Sequence, residues 1–186
     1  MTDFLSPGFL IAPPSLRDPN FSNSVVLLAS HDDSGATGFV VNRIGKIQLH
    51  ALLVDLELKP TIGDRTVLIG GPVQSFSGFV MYEHPPHEPA GPGVQISPTI
   101  SVSPSRDVLE QAVQGRLRGR FELLLGYAGW ETGQLESELD AGGWLHTEFD
   151  PELLFDVDVE ARWSELYERM GIDPGGFISV PGGAQA

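Results

Sequence analysis

The sequence predicts a mixed α/β domain, a β-sheet with hairpins flanked by helices, and three observations point there. Short apolar, β-branched runs recur between Gly- and Pro-rich turns; amphipathic stretches at helical spacing interrupt them; and the two signals interleave without the strict strand–helix–strand rhythm of a doubly wound nucleotide fold. At 186 residues the chain suits one domain, 1–186, since no linker or internal repeat divides it. The tail after about residue 178, rich in Gly and Ala, is expected to fray.

The elements follow in order. Phe9-Leu10-Ile11-Ala12 reads as a strand stopped by Pro13-Pro14, because proline cannot donate to a ladder. Ser24 to Ser30 is a continuous apolar run of the kind buried on both faces. The polar stretch His31 to Gly35 separates it from Gly38-Phe39-Val40-Val41-Asn42, which makes a hairpin. Leu49, Leu52, Leu53 and Leu56 predict a helix over 48–58, with Pro60 beyond it. Strands are predicted at Thr66–Ile69 and Gly78–Tyr82, joined through Gly70-Gly71-Pro72. Five prolines and two glycines between His84 and Pro98 predict a long surface loop. Ser103-Pro104 opens a helix carrying Val108, Leu109, Ala112 and Val113, and Gly115 closes it. A strand over Phe121–Leu125 is predicted to end in the junction Gly126-Tyr127-Ala128-Gly129-Trp130, with Trp130 in the core, before a short helix through Leu135 and Leu139. Leu153–Val157 reads as a last strand, and Trp163, Leu166, Tyr167 and Met170 as a last helix ended by Gly171.

Composition removes whole classes of chemistry. Without cysteine there is no disulfide framework, thiolate metal site, iron–sulfur cluster or cysteine nucleophile. The Gly-x-Ser-x-Gly elbow, the His-Glu-x-x-His zinc motif and the P-loop are all missing. Nothing in the sequence calls for a cofactor or a metal. Twenty-five acidic and 11 basic residues give a net charge of −14, which opposes nucleic acid and anionic lipid. Direct DNA binding and membrane association are therefore not expected. Thirteen acids between Glu131 and Asp173 form either a solvated face or a docking surface for a basic partner. The start, Met1-Thr2-Asp3-Phe4, lacks the features of a secretory or organelle leader, and the chain is expected to be cytoplasmic, as a monomer or weak homodimer.

Asp18, His31, Asn42 and Arg43 are the candidate ligand or partner site, because each abuts a buried run and short connections would keep them together at the sheet margin. For His31 the plainer reading is a polar hairpin turn, and for Asn42-Arg43 a structural bridge. Arg116, Arg118 and Arg120 alternate, so an extended stretch would turn all three to one side for an anion; pairing with carboxylates is the alternative. His84, His87 and Glu88 are close enough to share a metal, but the prolines favour a solvated loop. Gly126, Gly129 and Gly133 would suit either an anion cradle or close packing round Tyr127 and Trp130, and Glu131 favours packing.

Taken together, Gly8-Phe9-Leu10-Ile11-Ala12, Asp18-Pro19, Ser24-Val25-Val26, Gly35-Ala36-x-Gly38 and Asn42-Arg43 resemble the N-terminal signature of the bacterial YqgE/AlgH family. Gly70-Gly71-Pro72-Val73, Ser105-Arg106-Asp107-Val108-Leu109 and Gly126-Tyr127-Ala128-Gly129-Trp130-x-x-Gly133-Gln134-Leu135-Glu136-x-Glu138-Leu139 resemble its later blocks. The resemblance implies a single α/β domain and brings no catalytic residue to carry over. The AlgH name carries a transcriptional-regulator label, which the charge of −14 and the lack of a helix-turn-helix direct toward protein contacts rather than operator DNA. Three readings follow: a cytoplasmic binding or regulatory module engaging a protein or small ligand, foremost; a hydrolase or metal-dependent enzyme using His31, Asp18 and Arg43; and a nucleic-acid-associated regulator using Arg116, Arg118 and Arg120.

Overall fold

The computed structural model describes residues 4–88 and 91–177. Three buried apolar runs set its frame: β1 (Gly8–Ile11), β2 (Val25–Asp32) and β9 (Phe121–Glu131). β2 turns at Asp33-Ser34 into β3 (Gly35–Val40), forming the hairpin the sequence predicts. β4 (Ile44–Gln48) and α1 (Leu49–Asp55) lead to β5 (Thr66–Ile69) and the long β6 (Val73–Glu83). β7 (Val94–Ser97), β8 (Ile100–Ser103) and α2 (Arg106–Val113) precede β9; α3 (Gln134–Asp140), β10 (Leu145–Glu148), α4 (Pro151–Phe155) and α5 (Arg162–Arg169) follow it.

The strands run β10-β1-β2-β3-β9-β6-β8-β7, and β5 joins β9 while carrying β4 on its other side. Every pairing among the described strands is antiparallel except β5 with β9. β9 is the spine. Its N-terminal half pairs with β5 and β6, whereas Ala128 to Glu131 pair with β3. Gly70 stitches the halves, donating to Leu125 O (2.7 Å) and accepting from Val40 N (2.7 Å). The sheet curls into a mixed α+β single domain. Phe9, Leu27, Phe39, Met81, Val102 and Leu124 fill the inside of the curl with Leu153, Leu154, Leu166 and Tyr167. α1 and α2 cover the outside near β5 and β6, and α3 with Trp130 and Trp144 covers the outside near β1 to β3.

Several predicted elements are corrected. Leu153–Val157 is helix α4 and its sequel, because the Asp150 carboxylate caps Glu152 N (3.0 Å) and Pro151 opens the first turn. The 84–98 loop contains β7. The helix after Ser103 begins at Arg106 behind N-cap Ser105, since Ser103 is still in β8. α1 ends at Asp55, three residues before the predicted end: Glu57 turns left-handed (φ 55°) and Leu58 N bonds Leu53 O (3.0 Å). Gly126 to Trp130 is part of one continuous strand rather than a junction, although Trp130 is in the core at 6% exposure. β4, β8 and β10 were not predicted. The residues after 178 lie outside those described.

Candidate functional site

Asn42 and Arg43 follow β3 and staple the loop that precedes β2. Asn42 Oδ1 accepts from Val25 N (2.7 Å) and its Nδ2 donates to Asn23 O (2.8 Å). Arg43 donates to the carbonyls of Pro19 (2.9 Å), Asn20 (2.6 Å) and Ser22 (3.2 Å). Asp18 shapes the same loop, with Oδ1 accepting from Asn20 N (2.8 Å) and its carbonyl from Ser22 N (2.7 Å). These three residues are neighbours, and their polar groups are occupied by backbone.

His31 does not join them. It lies six residues along β2 from Val25, about 20 Å at the rise of an extended strand, so the proposed four-residue site is divided between opposite ends of the hairpin. There Nδ1 accepts from Leu5 N (3.1 Å), which places the proton on Nε2 facing Glu136 Oε1 at 3.0 Å. The Glu136 carboxyl is held below the ordinary glutamate range by its own backbone N–H and by His31. Both imidazole nitrogens thus have protein partners, and the imidazole anchors the segment before β1.

The arginine triplet is also redistributed. The chain bends over 117–119, so no extended stretch aligns it. Arg118 pairs with Glu88 (2.7 Å), Arg116 lies 3.9 Å from Glu110, and Arg120 bridges Glu83 (2.7 Å) and Asp156 (2.6 Å). These pairs set each arginine beside a carboxylate, most closely for Arg120, and so offset part of the charge that an anion would use.

The block from Trp130 to Leu139 is a docking device. Glu138 Oε2 accepts from both indoles, Trp130 Nε1 (2.9 Å) and Trp144 Nε1 (2.8 Å), while Oε1 accepts from Gln134 Nε2 (2.9 Å). Gln134 Oε1 takes Glu131 N (3.0 Å), which locks α3 to the end of β9. Arg162, 1% exposed, performs the same task on the inside: it holds Glu122 through two bonds (2.6 and 3.0 Å) and donates to the carbonyls of Val41, Leu154 and Val157. Burial pushes the Glu122 carboxyl up, against the opposing pull of Arg162 and Arg65.

One imidazole–hydroxyl pair has nucleophile-like geometry: His84 Nε2 is 2.9 Å from Ser101 Oγ, with Nδ1 donating to Pro85 O (3.1 Å). Ser101 is only 1% exposed, so the pair pins the chain after β6 and offers no face to a substrate.

The arrangement that sequence reasoning missed lies in the mouth of the curl. A cleft of about 460 Å³ opens between Ala29, Ser30, Thr37 and Phe39 of the β2–β3 hairpin, Gln74 and Phe79 of β6, Tyr127 of β9, and Val94 and Val102 of β7 and β8. Phe39 and Phe79 are 5.1 Å apart between ring centroids, and Tyr127 meets Phe79 edge-on at 6.0 Å. The hairpin register shifts between Leu28 and Ser30, a bulge at Ala29 that brings Ser30 opposite Thr37 beside the cleft. Gln74 has a left-handed backbone (φ 48°) that a non-glycine residue adopts at a cost, and strain of this kind collects at ligand sites. It begins an irregular segment of β6, since Val73 pairs with Tyr127 but Gly78 pairs with Leu125. On that segment Phe76 stands 99% exposed. No described lining residue of the cleft is a carboxylate, imidazole, lysine or arginine. Among the described residues, the hydroxyls of Ser30, Thr37 and Tyr127 have no protein hydrogen-bond partner. Ser30, Thr37, Gln74 and Tyr127 come from four strands, so no local motif announces them; the trace in the sequence is the pair of glycine turns that bracket Val73 and Tyr127.

The fold and cleft define a class: a curled α+β domain presenting a neutral, aromatic recess. The chain belongs to the AlgH-like family (DUF179), whose model matches residues 9–175. It is 41% identical over 189 residues to a UPF0301 protein of Anaeromyxobacter dehalogenans strain 2CP-C, covering 98% of this chain and 96% of that one. A UPF0301 protein of Cupriavidus metallidurans is 41% identical over 175 residues, 91% of this chain and 90% of its own. Among solved structures, the AlgH protein of Pseudomonas aeruginosa in solution superposes with a TM-score of 0.77 at 36% identity, covering 99% of this chain and 98% of that one. A crystal structure from Corynebacterium diphtheriae shares the fold, with a TM-score of 0.70 at 21% identity over 89% and 86% of the two chains. No helix among the described residues is long and apolar enough to cross a membrane.

Proposed function

We propose that this protein is a cytoplasmic binding module whose cleft takes an uncharged, ring-bearing group, and that it regulates by occupancy through small-ligand or protein contacts. One observation carries the reading: a recess of about 460 Å³ combining three aromatic rings with three unpartnered hydroxyls and no charged wall. Apolar walls with a few convergent polar groups are what a ligand site of this size needs for affinity and orientation. A charged ligand would lose its hydration there and gain no counter-charge. The ion pairs of Arg116, Arg118 and Arg120 support regulation without direct DNA contact.

The test is a resonance-by-resonance NMR titration with benzyl alcohol, benzoate and benzylamine. Benzyl alcohol should shift Ser30, Thr37, Phe39, Phe79 and Tyr127, and Tyr127→Phe should weaken that response without changing the melting temperature. Shifts centred elsewhere, or an equal response to benzoate, would overturn the reading.

A further inference from the structure

A second surface, apart from the cleft, lies along β4. This strand pairs with β5 alone, so its outer side offers main-chain donors and acceptors to another chain. Ile44 and Ile47 are 39% and 47% exposed there. Beside them a groove of about 400 Å³ is floored by Val67, Ile69 and Leu125. Among the described residues its charged lining is Arg43 and Lys46, with no acid. Gly45 keeps the edge tight, for a Cβ there would lie 2.8 Å from Val67 O and 3.1 Å from Ile69 Cδ1.

That charge is unusual for a molecule at −14. Arg116, Arg118, Arg120, Arg162 and Arg169 lie in ion pairs; Arg43 and Lys46, like Arg17, Lys59, Arg65 and Arg106, form none among the described residues, and what sets these two apart is that they share one groove with no described acid in its lining. Arg43 gives its guanidinium protons to backbone carbonyls, which leaves its positive charge uncompensated at the groove. At physiological salt the Debye length is about 8 Å, so a segment in the groove feels Lys46 and Arg43 at short range, although Arg43 also borders a second recess that Glu160 lines.

We propose that β4 and its groove dock an extended acidic segment of a partner protein, in which Asp or Glu alternates with Val, Ile or Leu. In a regular strand Ile44 would share a face with Lys46, but the register of β4 on β5 shifts between Ile44 and Gln48, and Arg43, Ile44, Lys46 and Ile47 all line the one groove with Ile69; a segment added there meets aliphatic and basic side chains together. A second copy of this chain fits less well, because antiparallel pairing of two β4 strands about a two-fold axis brings the two Lys46 residues together in molecules that already repel.

The test uses the full chain and a fluorescein-labelled peptide, Gly-Asp-Val-Asp-Ile-Asp-Val-Asp-Gly, followed by anisotropy and by backbone NMR. Three comparison peptides carry Lys for Asp, Ser for the aliphatics, or N-methyl groups on alternate amides. The acidic peptide should bind at least about tenfold more tightly than each of the three, and Lys46→Glu should weaken it about tenfold with the melting temperature unchanged. Shifts should centre on 43–48. Absence of binding up to about 1 mM, equal binding of the Lys peptide, or indifference to N-methylation would overturn strand addition of an acidic segment. A dimer in sedimentation equilibrium that Ile47→Ser dissociates would assign the surface to self-association instead and overturn the proposal.

Discussion

Replacing Glu138 by alanine tests the α3 docking device directly. The substitution removes the acceptor of two indole N–H groups, at 2.9 Å from Trp130 and 2.8 Å from Trp144, and of Gln134 at 2.9 Å. Trp130 and Trp144 are 6% and 5% exposed and meet edge-on at 6.1 Å, so little water can replace the carboxylate without separating the rings. Each donor left unsatisfied costs about 1–3 kcal/mol, and Glu138 itself is half-buried, which lets some solvent in. The pair is then worth about 2–4 kcal/mol, or a fall of roughly 5–15 °C in melting temperature for a chain of this size. Glu138→Gln keeps an oxygen for the indoles but turns an amide toward the Gln134 amide, so it should lose about a third as much. The assay is thermal unfolding followed by tryptophan fluorescence. An alanine variant that melts within about 2 °C of the parent, or a glutamine variant that is equally damaged, would refute the docking argument.

Further outcomes follow from other contacts. Trp130→Ala should cost about 3–5 kcal/mol in denaturant unfolding, since the ring is core; a variant that keeps its stability while losing a ligand would make this strand end a binding site. Phe76→Ala should leave stability within about 0.5 kcal/mol, because the ring is 99% exposed. Arg120 holds the carboxyls of Glu83 and Asp156 below their ordinary ranges. Their depressed folded values stabilise above the unfolded carboxylate range and that stabilisation is lost as pH falls through the folded values. Arg120→Ala should therefore lower stability at neutral pH and flatten its decline under acid, as read by urea midpoints across pH 2–7.

What the sequence disclosed depended on how many faces a segment buries. The runs at 25–29, 67–69 and 123–125 were legible because most of each strand is covered on both faces, leaving a short apolar string. β4 carries Lys46 and Gln48 on an exposed edge and shows no such string. β8 hides two serines in the interior, which is acceptable only because Ser101 bonds His84 and Ser103 bonds the Pro92 carbonyl from a segment that reads as loop. The apolar run at Leu153 fits strand or helix equally by pattern, and the Asp150-Pro151 start decides it. The burial of Arg162 leaves no local trace in the sequence, because the carboxylate that receives it, Glu122, lies 40 residues earlier.

The family blocks that were easiest to read serve shape, and the cleft arises where two of them meet. A Cβ on Gly71 would collide with the Tyr127 carbonyl, and one on Gly126 with the Gly71 carbonyl, while both residues have positive φ (156° and 74°). The turn before β6 and the middle of β9 are thus pressed backbone to backbone, which only glycine allows. That contact sets Val73 opposite Tyr127 and leaves β6 with more chain than β9 can pair before Gly78 reaches Leu125. The surplus must leave the ladder, and it does so through left-handed Gln74 at one side of the cleft and exposed Phe76 on the outside. Filling the glycine contact therefore predicts a linked loss: Gly71→Ala should lower stability and also blunt the benzyl alcohol response at Tyr127, whereas Phe76→Ala should leave both intact. An alanine at 71 that destabilises the chain but leaves the Tyr127 response unchanged would show that the cleft does not depend on the glycine contact.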